Sequence, residues 1–263
     1  MTRELFDNRL RALRRDRAFR AGGDRFLHER AFADIVDRLG IVRRQFRSAL
    51  LVGCTNPGWR TRLLDFADDV RVVDPGPLFA QASGGARTDE DRLDAEPGSF
   101  DLCVALGTLD TVNDLRQALL LVRCALRADS LFIGALAGGD TLPGLRRAMR
   151  AADKTIGSAA PRAHPRIEPG AFSALLAEAG FTMPVVDVDR VEVSYRSLWD
   201  LVRDLRAMGA TNVLAERSKR PLSRAAAQAA ANHFAAGASG GRTVERFELV
   251  HFAAWTPPEP ANG

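Results

Sequence analysis

The chain changes hydrophobic periodicity several times along its length. In RELFDNRLRALRRDRAF, Leu5, Phe6, Leu10 and Leu13 recur at helical spacing, and after Gly22-Gly23 the segment DRFLHERAFADIVDRLG repeats the pattern with Phe26, Leu27, Phe32, Ile35, Val36 and Leu39. Two amphipathic helices are predicted before any strand. Short continuous apolar runs follow at SALLVG (48–53), VRVVD (70–74), FDLCVAL (100–106) and SLFIGAL (130–136). Helical stretches separate them, among them NDLRQALLLVRCAL (113–126), with Asn113 as its expected N-cap, and TLPGLRRAMRAA (141–152). Strand-sized apolar runs alternating with helices predict a parallel sheet covered on both faces.

Beyond Asp153 a Pro/Gly/Ala-rich loop runs to Pro169, AFSALLAEAG forms a short helix closed by Gly180, and VVDVDRVEVSY (185–195) reads as a strand. SLWDLVRDLRAMG and LSRAAAQAAANHFAA then make two helices with no strand between them, before a last strand at RFELVHFAAW (246–255). The expected organisation is an N-terminal helical pair over 1–45, an α/β domain over 46–194 completed by its last strand at 246–256, a helical cap over 195–245 and a disordered tail over 257–263. Its sheet should have seven strands, mostly parallel with the last inserted antiparallel, and so resembles the Rossmann-like sheet of class I methyltransferases.

Composition narrows the class. With 46% hydrophobic and 27% charged residues the balance is that of a globular protein, and no apolar run approaches the roughly 20 residues of a membrane span. Cys54, Cys103 and Cys124 are odd in number, form no CxxC and each lie in an apolar stretch, which fits a reduced interior and a bacterial cytoplasm and supports no zinc knuckle. Net charge is +4, but residues 1–50 carry +6 and the rest −2. A positive excess at one end argues against a nucleic-acid face; it fits an arm that meets an acidic surface or is simply solvated. Glu4, Asp7 and Asp16 interrupt what would otherwise resemble an Arg-rich transit peptide, and no signal peptide is evident.

In open parallel sheets the ligand lies beyond the carboxyl ends of the strands. The first such loop is VGCTNPGW, where Gly53 and Gly58 permit close backbone approach. Asp74 ends the second apolar run 21 residues after Gly53, the spacing at which a carboxylate accepts the hydroxyls of an adenosine ribose; it would equally open the Asp-Pro-Gly-Pro turn. No Lys or Arg follows Gly53 before Arg60, and GxGxxG and Walker spacings are absent, so S-adenosylmethionine is favoured over a dinucleotide. In GALAGGDTL (134–142) Asp140 is placed to cap the next helix or to meet a substrate. The lone tyrosine, Tyr195, ends a strand at the start of the cap, facing the cleft or packed in the core. No His-x-Asp pair, HExxH or His/Cys cluster is present, and no metal site is expected.

GALAGGDTLPGLRRAM, PRAHPRIEPGAFSALLAEAGF and VDVDRVEVSYRSLWDLVRDLRAMGATN resemble the family of complex I assembly factor five, a methyltransferase-like protein of mitochondria and alphaproteobacteria. LFDNRLRALRRDRAF and SFDLCVALGTLDTVNDLRQAL are similar to it too. A more distant resemblance is to the malonyl-carrier-protein methyltransferase of biotin synthesis. The first resemblance implies a class I S-adenosylmethionine fold, a protein substrate that is a complex I subunit and, for mitochondrial members, hydroxylation of an arginine. It assigns Gly53, Cys54 and Gly58 to the cofactor loop, Asp74 to the ribose, Asp89 to the adenine side, and Leu106 to the same pocket. Asp140 and Tyr195 become the catalytic candidates, with Arg146 and Arg162 beside the substrate cleft. The cofactor loop is one residue longer than the family's and lacks its central glycine and preceding acid, and Asp110-Thr111 replaces a His-Trp pair. These departures argue for weakened or lost cofactor binding and leave three expectations: a methyltransferase, an arginine hydroxylase, or a non-catalytic assembly chaperone.

Overall fold

The computed structural model describes residues 4–259. Helices α1 (Asn8–Ala21) and α2 (Phe26–Val42) precede the sheet. Asp7 caps α1 by accepting the Leu10 N–H at 2.9 Å, and Gly22 ends it in the left-handed conformation at φ +61°. The face that α1 buries differs from the expected apolar stripe. Arg11, Arg15 and Ala18 point inward, while Leu5 and Leu13 are exposed. The interior beneath α1 is acidic, so it selects guanidinium groups over leucines.

The chain then builds β1 (Phe46–Val52), α3 (Gly58–Leu63), β2 (Ala67–Asp74), α4 (Pro77–Ala82), β3 (Ala86–Arg87), β4 (Phe100–Leu106), α5 (Leu115–Ala125) and β5 (Leu126–Ala137). It continues with α6 (Pro143–Ile156), α7 (Pro169–Glu178), β6 (Thr182–Tyr195), α8 (Leu198–Ala207), α9 (Arg224–Ala235) and β7 (Thr243–Trp255). The seven-stranded sheet has the order β3-β2-β1-β4-β5-β7-β6, and its first five members run parallel. The last strand, β7, lies antiparallel between β5 and β6, as its position after the cap predicts. The pleat is covered on one face by α5 and α7, whose Leu119, Val122, Phe172 and Leu176 pack on β4, β5 and β7. On the other face Ile35 and Leu39 of α2, with Trp59 and Leu63 of α3, pack against β1, β2 and β4. Phe32 and Trp59 stack at 4.7 Å.

Several local expectations are corrected. The two-residue β3 has no apolar run and carried no signal in the sequence. The N-cap of α5 is Asp114, which accepts from the Gln117 N–H, whereas Asn113 holds the backbone of Phe6 through both amide atoms. Cys124 is exposed; only Cys54 and Cys103 are interior. Thr256, at the end of the expected last strand, exchanges hydrogen bonds with Ser130, and Pro257, the first residue of the expected tail, accepts the Asp129 N–H. The remainder of that expectation, residues 260–263, lies outside the described residues.

The cap has a core of its own. Leu198, Leu201 and Leu205 of α8, Ala226, Ala230 and Phe234 of α9, and Ala148 and Ala152 of α6 meet Tyr195 and Phe247 from the sheet. Helix α6 is not capped by Asp140. Its first free N–H groups, on Gly144 and Leu145, donate to the carboxylate of Glu245 on β7 at 3.0 and 2.7 Å, and Glu245 is fully buried. A cap supplied from a strand 100 residues away ties the cap to the sheet. Glu245→Ala is expected to cost about 2 kcal/mol, the scale of a lost charged cap, and Glu245→Gln less. A urea-unfolding midpoint unchanged in Glu245→Ala would contradict this.

Candidate functional site

The carboxyl ends of β1, β2 and β4 converge below α1. Gly53, in the turn after β1, has φ +80°, and a Cβ there would stand 2.4 Å from the Leu106 carbonyl oxygen, so both conformation and space demand glycine. The Cys54 N–H and the Gly76 N–H donate to Asp74 at 2.8 and 2.7 Å. Arg15 completes the set, with Nε on Oδ1 at 2.8 Å and Nη2 on Oδ2 at 2.5 Å. Asp74 is wholly buried with four donors on its two oxygens. Helix α1 is brought this close by Gly76, where a Cβ would meet the Cβ of Arg15 at 2.7 Å, and by Asp16, which accepts the Leu78 N–H at 3.0 Å.

One turn earlier Arg11 makes the same kind of contact. It binds Glu90 in bidentate fashion at 2.7 and 2.8 Å, and also donates to the Thr108 carbonyl and the Thr111 hydroxyl. Glu90, which sequence reasoning missed among five closely spaced acids, is therefore the inward partner of α1. Asp89 pairs with Arg87 at 2.8 Å and keeps Oδ1 buried without a hydrogen-bond partner. Burial pushes the Asp89 carboxyl above its ordinary range. Cys54 is inert as a nucleophile, because burial pushes its thiol up to about 11.

A cavity of about 90 Å³ remains between this cluster and the cap, lined by Arg11, Arg15, His28, Leu106, Gly107, Asp110, His164, Arg166 and Glu248. Small-molecule sites generally measure roughly 300–1,000 Å³. His28 reaches the loop after β1 through Nδ1, 3.3 Å from the Thr55 hydroxyl. His164 accepts the Val213 N–H on Nε2 at 3.0 Å. Asp110 forms a buried ion pair with Arg166; burial opposes its ionisation, but Arg166 and His164 hold its carboxyl below the ordinary range.

The candidates assigned by resemblance thus fall into separate places. Gly53, Cys54, Asp74, Asp89 and Leu106 cluster below α1, while Gly58, at the start of α3, donates its N–H to Asn56 Oδ1 at 2.9 Å. Asp140 is half exposed and paired with Arg246 at 2.7 Å. Tyr195 is buried in the cap core, where burial and then Asp204 raise its hydroxyl pKa. Neither lines the cavity, so the two catalytic candidates are not brought together there. Arg146 donates to the carbonyls of Thr141 and His164, and Arg162 pairs with Asp153 at 2.6 Å. Among the described residues no group of three His, Cys, Asp or Glu side chains is placed to hold a metal ion, and no helix is long and apolar enough to cross a membrane.

As arranged, the site does not fit S-adenosylmethionine. A ribose would need the two Asp74 oxygens that Arg15 occupies, and the remaining space is too small.

No protein-family model matches the chain. It is 31% identical over 248 residues to the zebrafish protein "Arginine-hydroxylase NDUFAF5, mitochondrial", an alignment that covers 88% of this chain and 75% of the relative. It is also 31% identical over 180 residues to "Malonyl-[acyl-carrier protein] O-methyltransferase" of Laribacter hongkongensis, covering 68% of this chain and 59% of that protein. The solved structure of the N-methyltransferase NodS from Bradyrhizobium japonicum, in complex with S-adenosylhomocysteine, superposes with a TM-score of 0.51 at 16% identity, over 95% of this chain and 100% of that one. The fold is that of class I methyltransferases, and such neighbours bind this cofactor or its product.

Burial, with Arg15 next for His28 and Arg166 next for His164, holds both rings down to about 4. Unfolded histidines titrate near 6.5, so between that pH and about 4 the unfolded chain binds more protons and stability falls as pH falls. Each ring contributes on the order of 3 kcal/mol across that window, with no further loss from it below pH 4. His28→Gln and His164→Gln should each flatten the fall, and thermal unfolding between pH 7 and 4 in which both variants track the wild type would refute this.

Proposed function

Because the chain belongs to the NDUFAF5 arginine-hydroxylase family, whose fold is that of class I methyltransferases, we propose that it serves the assembly of respiratory complex I by binding a protein client. In this reading its adenosyl pocket is held shut by its own first helix. The observation that carries the proposal is the fully buried Arg15–Asp74 pair. Exposing such a pair to a competitor leaves a buried charge without its partner, which typically costs about 3–5 kcal/mol. A cofactor must supply that before it gains any net affinity.

A second reading is favoured by one feature. Asp89, assigned by resemblance to the adenine side, keeps a buried oxygen without a hydrogen bond, 3.8 Å from Arg11, and the Cys54 and Gly76 N–H groups remain in place. If α1 withdrew, these residues would hold S-adenosylmethionine, which would supply an activated methyl group. Arginine hydroxylation, the activity named for the mitochondrial relatives, finds no metal-ligand cluster among the described residues.

Calorimetric titration with S-adenosylmethionine separates the readings. The wild type should give no binding heat at millimolar ligand, and the ligand should raise the melting temperature of Arg15→Gln but not of the wild type. Micromolar binding by the wild type would sink the closed-pocket reading in favour of the transferase. Deletion of the gene in its native host should lower the amount of assembled complex I on native gels, with the wild-type gene restoring it; unchanged complex I in the deletion strain would overturn the assembly role.

A further inference from the structure

The cap encloses a second cavity that the adenosyl pocket does not explain. It measures about 270 Å³ and lies between α6, α8 and α9. Its apolar wall is formed by Leu145, Met149, Leu198, Val202, Leu205 and Leu222, and the half-exposed Trp199 also lines it. Its charged lining is entirely arginine, with no Asp or Glu among the lining residues. Through Arg206 and Thr211 it adjoins a cleft of about 300 Å³ lined by Arg14 and Arg17 of α1, again without an acid.

Few of these arginines are neutralised within the protein. Arg162 and Arg166 are neutralised by Asp153 and Asp110. Among the described residues, Arg146 is hydrogen-bonded only to backbone carbonyls, and Arg14, Arg17 and Arg206 are joined to no carboxylate. Two buried donors, the Nε atoms of Arg14 and Arg166, make no hydrogen bond at all. Burial and neighbouring arginines hold the guanidinium groups of Arg14 and Arg146 below their ordinary range. An oxyanion would relieve both the repulsion and the unmet donors, since guanidinium forks match phosphate oxygens in bidentate geometry. The adjoining apolar chamber would take a flexible hydrocarbon.

We propose that the cap cavity and the Arg14–Arg17–Arg206 cleft together bind an anionic amphiphile, an acyl chain in the α6–α8–α9 chamber with its phosphate head group on the arginines. The chamber shares His164 and Arg166 with the adenosyl pocket, but the arginine cleft shares no lining residue with it, and the head group would sit there whether that pocket is shut or active. The same surface repels a guanidinium, which places an arginine side chain of any client elsewhere.

Dodecyl phosphate below its micelle concentration is the probe, titrated against the full chain by calorimetry and tryptophan fluorescence. One-to-one saturable binding is expected, with the emission change lost in Trp199→Phe while the binding heat persists. Arg17→Gln/Arg206→Gln, a pair of exposed side chains whose removal leaves the fold intact, should weaken binding at least about tenfold. Vesicles of phosphatidylcholine with one-fifth phosphatidate distinguish a membrane lipid, which would bring the protein to the vesicle, from a soluble amphiphile, which would not. Dodecanol or inorganic phosphate binding as tightly as dodecyl phosphate, an unchanged affinity in the double variant, displacement at equal affinity by polyglutamate, or no binding would each overturn the proposal.

Discussion

A carboxylate at the end of β2 with no solvent exposure must be neutralised from within the protein, and the arrangement of the N-terminal third follows from that requirement. Asp74 sits where β1 and β2 diverge, with two backbone N–H groups already on it. Hydrogen bonds from neutral donors lower the cost of a buried charge without cancelling it. Arg15 supplies the opposite charge, and Arg11 does the same for Glu90 one turn away on the same face of α1. A helix whose inward face is guanidinium cannot slide or rotate on an apolar surface, because each fork fits its carboxylate in one register. The docking of α1 is thereby fixed by geometry as well as by burial.

That docking explains why a methyltransferase fold presents so small a cavity at its cofactor end. The strands and turns are in place, Gly53 has the left-handed conformation the turn needs, and Asp74, Asp89 and Glu90 are buried beneath α1. What changes the chemistry is which group the acids hold. The cap adds a second asymmetry. Glu245 joins α6 to β7 and is consumed in capping, so the cap interior is left with arginines and apolar side chains. The two cavities therefore differ in electrostatic character although they share Arg166 and His164 as part of their walls.

The sequence by itself determined the elements and their order. Apolar runs of strand length between amphipathic stretches suffice to predict a parallel sheet, and the strandless segment before β7 suffices to place the cap, because burial on two faces and burial on one stripe leave different periods in the chain. It also located Gly53 and Asp74 at strand ends, since that is where an open sheet exposes its ligand side, whereas Asp89 came only from the resemblance. Tertiary structure alone decided what those residues do. Hydrophobic periodicity is blind to a buried face made of Arg11 and Arg15, so α1 read as a leucine-faced helix although Leu5 and Leu13 are exposed. Capping by a neighbour in sequence is legible, as with Asp7 and Ser197, but capping of α6 by Glu245 from a strand 100 residues away is not. Resemblance makes Asp140 and Tyr195 joint catalytic candidates, yet one pairs with Arg246 at the surface and the other fills the cap core. The physical reason is common to all three: charge pairing and side-chain direction act between residues far apart in sequence, through distances of a few ångströms that only the folded chain sets.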